Sequence, residues 1–157
     1  MKRILLDTGP LVALLVGRTD RSKLGNRRVR EYSESMYDRL AVMASDAVIH
    51  VSLPNILTEV SNHIGSGRQQ IADGIVNALG AYVVGVDEVY KPSSDVVTVS
   101  AYPAMGITDT AILSTSNKLI LDRVNVVTQD HELYNRLTQN GVECTNVMHW
   151  RTPSSRL

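Results

Sequence analysis

The sequence predicts an α/β protein with a central, mainly parallel sheet of four or five strands flanked by helices. Short apolar runs rich in β-branched residues alternate along the chain with segments whose apolar residues recur at helical spacing. The chain has 157 residues, of which 43% are hydrophobic and 20% charged, ordinary values for one soluble domain with a real core. Alternation of this kind favours parallel strands joined by helical crossovers.

Five apolar runs are predicted to be the strands of this sheet. They comprise residues 4–6, 47–51, 82–86, 124–128 and 142–147. Within them we expect Leu5, Ile49, Val84 and Val126 to be buried. One domain is predicted over residues 1–150, and the polar residues 151–157 are expected to form a flexible tail.

Three apolar stripes at a spacing of three or four residues predict helices. The first contains Tyr37, Leu40, Ala41 and Ala44, the second Leu53, Ile56, Leu57, Val60 and Ile64, and the third Ile71, Ile75, Val76 and Leu79. Gly65, Ser66 and Gly67 are predicted to separate the second helix from the third. A further helix should begin after Lys91 and Pro92, with a serine as its cap.

Four acidic residues stand at positions where these elements bring them together. Asp7 directly follows the first strand, and Asp130 lies two residues beyond the fourth. Asp109 opens a helix, and Glu59 lies on the polar face of the second helix. Ligands of open parallel sheets bind at the carboxyl ends of the strands. We therefore expect the four carboxylates to meet at that edge.

Each acid taken alone has an ordinary structural explanation. Asp109 and Asp130 are typical helix-capping residues, and Glu59 is typical of a solvated helix face. Taken together they need a counter-charge, because two carboxylates about 4 Å apart near a surface repel by roughly 4 kcal/mol. Oxygen ligands without nearby cysteines or paired histidines suit Mg²⁺ or Mn²⁺ better than Zn²⁺.

The segments that contain the four acids resemble the four motifs of PIN-domain nucleases, the family of VapC-type toxins and many RNA-processing enzymes. The segments are LLDTGPLVALL, LPNILTEVSN, ITDTAILS and VNVVTQDHEL, in the family's order. The resemblance implies a PIN-like nuclease domain that hydrolyses phosphodiester bonds of single-stranded RNA and leaves a 5′-phosphate and a 3′-hydroxyl. It also implies that one or two Mg²⁺ or Mn²⁺ ions are bound by Asp7, Glu59, Asp109 and Asp130, with Asp7 as the central ligand.

The resemblance extends to neighbouring residues and to partners. Thr8 and Thr128 match the small hydroxyl residues that support the first and last acids, and Asn55 shares the polar helix face with Glu59. RNA is the implied partner. If the chain is the toxin of a toxin–antitoxin pair, an antitoxin protein is a second implied partner. The chain is also expected to form a homodimer.

The stretch from residue 17 to residue 30 is strongly basic, with six Lys and Arg residues against a single acid, Asp20. One interpretation is a solvated loop, and another is a surface on which Arg27, Arg28 and Arg30 contact RNA phosphates. A third combines them, because in toxin–antitoxin pairs an acidic or arginine-bearing partner segment can occupy the same groove. Sixteen basic residues balance sixteen acidic ones overall, and only 4% of residues are aromatic, which argues against binding by base stacking.

Other functions are weighed against the nuclease. Asp7, Thr8 and Gly9 also match an aspartic-protease signature, but that scaffold is all-β and the pattern after residue 10 is helical. The main alternative is a non-catalytic PIN-like module that binds RNA or another protein. A single cysteine, Cys144, and no apolar run of roughly 20 residues predict a cytoplasmic protein without a membrane partner.

Overall fold

A computed structural model describes residues 1–151, and its centre is a five-stranded sheet whose neighbouring strands are all parallel. The strands are β1 (Arg3–Leu6), β2 (Ile49–Ser52), β3 (Val86–Glu88), β4 (Val124–Thr128) and β5 (Cys144–Asn146). They lie in the order β3-β2-β1-β4-β5. The predicted α/β fold with a parallel central sheet is confirmed. Residues 152–157, most of the predicted tail, lie outside the described part.

Helices connect and flank the strands throughout the described chain. They are α1 (Thr8–Thr19), α2 (Glu34–Asp46), α3 (Pro54–Ile64), α4 (Ile75–Val84), α5 (Ser93–Val96), α6 (Tyr102–Met105), α7 (Ile107–Ser114), α8 (Ser116–Leu121) and α9 (His131–Gln139). Within residues 1–151, none of these helices combines the length and the apolar character that crossing a membrane requires.

Helix α1 is buried along most of its length and lies at the centre of the core. It follows β1 directly, and Pro10 fits its first turn because the backbone N–H groups there have no partner within the helix. Leu11, Leu14 and Leu15 are fully buried. The helix packs against α2, α3 and α4. The residue that precedes it, Asp7, is therefore attached to the most enclosed part of the fold.

Helix α1 passes α2 so closely that Gly17 has no room for a side chain. A Cβ at Gly17 would overlap the ring of Tyr37, which is itself buried. We expect Gly17→Ala to lower the free energy of unfolding by about 1–3 kcal/mol, as overpacked cores do. Gly80→Ala on α4 is the matched control, since no atom lies within 4 Å of a Cβ there.

In the control the better helix propensity of alanine should stabilise the protein by about 0.5–1 kcal/mol. Urea unfolding of both variants measures the difference. Equal shifts of the two midpoints would contradict the close packing of Gly17 on Tyr37.

The predicted strands at residues 4–6, 47–51, 124–128 and 142–147 correspond to β1, β2, β4 and β5. Leu5 and Val126 are fully buried in the sheet, as predicted, whereas Ile49 is only half-buried. The register places Leu5 beside both Val51 and Val126, so β1 is the middle of the sheet.

The predicted strand at residues 82–86 is wrong in its first part. Residues through Val84 belong to α4, and β3 begins at Val86. The helix continues because Leu79 and Tyr82 lie on the face that packs against the core. Gly85 then ends it, donating its N–H to the carbonyls of the last turn. Val84, expected in the core, is 90% exposed on the outer face of the helix.

Two predictions about helix starts also need correction. Ile71 precedes α4 instead of belonging to it, and Val76 faces solvent with 40% of its surface exposed. No serine side chain caps α5, because Pro92 occupies the cap position and its carbonyl accepts the N–H groups of Asp95 and Val96. The serines therefore fall inside the helix. The separation of α3 from α4 at Gly65 is confirmed, with φ of 74° at that glycine.

The basic segment, residues 17–30, is ordered into short turns after α1 ends at Thr19. Arg21–Lys23 and Arg27–Val29 each form one turn of 3₁₀ helix. Arg21 pairs with Glu34 at 3.2 Å and Asp38 at 2.8 Å on α2. These ion pairs tie the segment to the domain.

Candidate metal centre

Asp7 lies where the chain changes direction between the two halves of the sheet. Connections from β1 and β4 leave the carboxyl edge there, the position at which open α/β sheets bind ligands. The Asp7 N–H donates to the carbonyl of Val127 at 2.9 Å, which extends the β1–β4 pairing by one residue. Asp7 Oδ1 accepts the Thr8 N–H, and Oδ2 accepts the Thr128 hydroxyl, both at 2.7 Å. With 6% of its surface exposed, the carboxyl group is fixed at both oxygens.

Glu59 reaches the same edge from α3. Its Oε2 accepts the Thr8 hydroxyl at 2.9 Å, and its Oε1 accepts the Thr108 hydroxyl at 2.6 Å. Thr8 thus donates its backbone N–H to Asp7 and its hydroxyl to Glu59. One residue at the start of α1 therefore joins two of the predicted acids.

Asp130 approaches from the other side, at the start of α9. Its Oδ1 accepts the Leu133 N–H at 2.7 Å, which caps the helix as predicted for an acid in this position. Its own N–H donates to the Thr128 hydroxyl oxygen at 3.0 Å. Thr128 therefore bridges Asp130 and Asp7, accepting from one and donating to the other.

Asp109 lies in the first turn of α7 and is half-buried. Its side chain forms no hydrogen bond with any other residue of the described range 1–151, so it does not cap the helix. Burial is the largest cause of the raised pKa of the Asp109 carboxyl, and together with the charges of Asp7, Asp130 and Glu59 it brings that pKa to about 7. Burial likewise raises the pKa of Asp7, with Glu59 and Asp130 adding to it. The four acids share one electrostatic environment.

The acids are close enough for their charges to raise the pKa values of Asp7 and Asp109, but their oxygens do not converge on one point as metal ligands would. No group of three or more His, Cys, Asp or Glu side chains in residues 1–151 is arranged to hold a metal ion. Glu59 and Asp7 instead direct their oxygens at hydroxyl and N–H donors. Chemically, an oxygen-only set of carboxylates fits a hard divalent cation such as Mg²⁺ or Mn²⁺. Side-chain rotation of the acids would be needed to bind it.

A second contact holds the loop between β4 and α9 against α1. The Tyr32 hydroxyl donates to Gln129 Oε1 at 2.9 Å, and the Gln129 amide lies directly against Gly9. A Cβ at Gly9 would overlap that amide. Burial, followed by the negative charge of Asp7, raises the pKa of Tyr32, so its hydroxyl stays a donor. The contact keeps Thr128 and Asp130 near the start of α1.

The remaining predicted residues fall into two groups. Thr8 and Thr128 hydrogen-bond the acids, whereas Asn55, half-buried on α3, forms no side-chain hydrogen bond within the described chain. Arg27, Arg28 and Arg30 are exposed and lie outside this cluster.

Sequence reasoning missed Thr108, Tyr32 and Gln129. Thr108 could have been found, because it adjoins Asp109 and carries the same kind of hydroxyl as Thr8 and Thr128. For Tyr32 the sequence offers no such signal, because its partner lies 97 residues away.

Four acids therefore lie near one edge of the sheet: Asp7, Glu59, Asp109 and Asp130. Three threonine hydroxyls donate hydrogen bonds to two of them, Asp7 and Glu59. The all-parallel sheet differs from the all-β scaffold that an aspartic protease requires. A scan against models of known protein families finds no match for the chain, and a search of curated proteins finds no relative.

Proposed function

We propose that this protein is a Mg²⁺- or Mn²⁺-dependent endoribonuclease of the PIN type, which hydrolyses single-stranded RNA at the four-carboxylate edge. The main support is the geometry of the carboxyl edge, where Thr8 joins Asp7 to Glu59 and Thr128 joins Asp7 to Asp130. The charges of these three acids also act on Asp109 and raise its pKa. Negative charge gathered in this way favours a cation. The resemblance to VapC-type toxins extends the proposal to a toxin role with an antitoxin partner.

Each acid receives a role from its surroundings. Asp7 is the central ligand, because Thr8 and Thr128 fix both of its oxygens. Asp109 shares the cation, and its freedom from hydrogen bonds within residues 1–151 leaves both of its oxygens available. Glu59 and Asp130 complete the site or orient the attacking water. A divalent cation, when bound, lowers the pKa of water, polarises the phosphodiester and stabilises the leaving oxygen.

Bringing RNA to this edge also requires a cation on electrostatic grounds. Four carboxylates and a phosphodiester carry the same sign of charge, so without a counter-ion they repel the substrate. The hydroxyls of Thr8, Thr108 and Thr128 orient the carboxylates but add no positive charge. We therefore expect RNA turnover to depend completely on the metal.

A second candidate is a non-catalytic module that binds RNA or protein. One observation favours it: within residues 1–151, no three acidic, His or Cys side chains are already arranged around an ion. Such a module would bind RNA without a divalent cation and would leave it intact. Metal-dependent cleavage separates the two functions.

The direct test is incubation of the purified protein with a mixed pool of single-stranded RNA. We expect degradation with Mg²⁺ or Mn²⁺, none with excess EDTA, and fragments with 5′-phosphate and 3′-hydroxyl ends. Sensitivity of the fragments to a 5′-phosphate-dependent exonuclease reads the end chemistry. Intact RNA with every divalent ion, or 2′,3′-cyclic phosphate ends, would refute the proposed mechanism.

A further inference from the structure

A cleft of about 810 Å³ lies between the basic segment and the loop that follows α3. Its wall contains three cations and three amides: Lys23, Arg27 and Arg68, and Asn26, Gln69 and Gln70. No acidic residue lines it. None of the three cations forms a salt bridge within the described residues 1–151. The wall of the cleft is therefore positively charged and contains no acid of its own.

We propose that this cleft binds the phosphate backbone of single-stranded RNA, so that one strand spans the surface between the cleft and the carboxylate edge. The inference rests on the proposed function and names the path of its substrate. The basic residues that it assigns to RNA binding differ from those that the sequence predicts. Arg27 lines the cleft, Arg28 and Arg30 do not, and Lys23 and Arg68 join Arg27.

Backbone hydrogen bonds and one buried side chain order both walls of the cleft. Arg27 adopts φ of 45°, a left-handed conformation that residues with a side chain rarely adopt. Buried Val29 anchors the turn, and its carbonyl accepts the N–H of Gly25 at 3.2 Å. On the opposite wall, the Ile71 N–H donates to the Ile64 carbonyl at 2.9 Å and closes the loop that contains Arg68.

The position of the cleft relative to the acids sets the length of the ligand. Val16 lines the cleft and lies eight residues after Thr8 on the same helix. At 1.5 Å per residue this corresponds to about 12 Å along the helix axis. A small phosphodiester at the acids cannot reach the cleft, whereas a continuous RNA strand can span both.

One polar atom of the cleft residues favours RNA over other anions. Gln70 Oε1 is buried and has no hydrogen-bond partner among residues 1–151. A buried acceptor without a partner is destabilising, so a ligand that supplies a donor gains by pairing with it. The phosphodiester oxygens of a nucleic acid can only accept, whereas a ribose 2′-hydroxyl can donate.

Two acids lie beside the cleft and mark where its positively charged wall ends. Asp20 and Asp73 line a neighbouring depression that shares Lys23 and Gln70 with the cleft. The Asp20 carboxylate is engaged by Ser22, which donates its hydroxyl at 2.6 Å and its N–H at 3.0 Å. We expect Arg27 and Arg68 to contribute more to binding than Lys23, which faces this negative charge.

The experiment measures binding of a labelled single-stranded RNA of about 20 nucleotides by fluorescence anisotropy in EDTA, over roughly 50–200 mM salt. The cleft variant is Lys23→Gln, Arg27→Gln and Arg68→Gln. The matched control removes three exposed cations that do not line the cleft and lie near the amino ends of β1 and β4: Lys2→Gln, Lys118→Gln and Arg123→Gln. Thermal melts establish that both variants are folded.

We expect the cleft variant to bind RNA roughly tenfold more weakly or worse, with the log–log salt slope reduced by about 2, since each phosphate contact on a single strand contributes about 0.7. The control should stay within about twofold of wild type. Single-stranded DNA of the same sequence should bind more weakly than RNA. Equal losses in both variants, equal affinity for DNA, or stronger binding of poly-glutamate than of RNA would overturn the proposal.

Hydrolysis of bis-p-nitrophenyl phosphate, a diester too small to reach the cleft, separates this proposal from the nuclease itself. With a functional metal centre, the cleft variant should lose RNA cleavage at low RNA concentration but keep wild-type turnover of the small diester. Cleft-dependent RNA binding by a wild-type protein that cleaves neither substrate would refute the nuclease and support the cleft. If the cleft variant still cleaves RNA and binds it with unchanged affinity, the nuclease is supported and the cleft proposal is refuted.

Discussion

Asp7→Asn should lower the rate of metal-dependent RNA hydrolysis by about 100-fold or more, the loss typical of removing a preorganised charge from an active site. Asparagine has the same shape but no charge, so it cannot serve as the central ligand of a divalent cation. Its amide oxygen can still accept the Thr8 N–H that Asp7 accepts at 2.7 Å. The effect should therefore appear in kcat and in the metal requirement, with the fold retained.

Asp87→Asn is the matched control, because Asp87 lies exposed in β3 and takes no part in the acid cluster. Its turnover should equal that of wild type. Both variants are assayed by initial rates of RNA cleavage across a Mn²⁺ titration. A rate for Asp7→Asn within about twofold of wild type at every Mn²⁺ concentration would be incompatible with a metal centre at this residue.

Asp109→Asn should stabilise the metal-free protein above neutral pH and weaken the stabilisation that a metal provides. The folded pKa of Asp109 is raised from 3.8 to about 7, mainly by burial. The folded state therefore binds more protons than the unfolded state between these values, and stability falls as pH rises from about 4 to about 7. The variant lacks this titration, so the two stability curves should coincide below about pH 4, separate as pH rises to about 7, and differ by a constant amount above it.

The difference is expected to be about 1–2 kcal/mol, or roughly 3–6 °C in Tm, after allowing for the solvent-exposed part of Asp109. Mg²⁺ should raise the Tm of wild type by mass action and that of the variant much less. Asp95→Asn is the control, since Asp95 occupies the same first-turn position on α5 and is exposed. A metal-free Asp109→Asn protein less stable than wild type at pH 8 would identify Asp109 as a stabiliser of α7 instead.

The sequence predicted the elements whose patterns are local. The β-branched residues Val124, Val126, Val127 and Thr128 predict a strand over residues 124–128, and these are the bounds of β4. Asp7 and Asp130 were assigned to the carboxyl edge from their positions after two strands. The valines at 83 and 84 misled the prediction, since β propensity is weaker than the packing of Leu79 and Tyr82 that extends α4.

The hydrogen bonds that position the acids could not be predicted from the sequence, because they join residues that are far apart along the chain. Thr108 meets Glu59 across 49 residues, and Tyr32 meets Gln129 across 97. Such pairs depend on how α3, α7 and the residues just before α2 pack, and no periodicity within one segment encodes that. The basic cleft was missed for the same reason, because Arg68 comes from a loop distant in sequence from Arg27.

The deep burial of α1 has a consequence for motion at the carboxylate edge. A helix enclosed on nearly every side exchanges its amide hydrogens only through global unfolding, whereas exposed helix ends open locally at little cost in free energy. Asp7 directly precedes the buried helix α1, whereas Asp130 lies exposed at the start of α9. The backbone of Asp7 is therefore the more firmly held of the two, and movement of the main chain toward an arriving ion falls to Asp130.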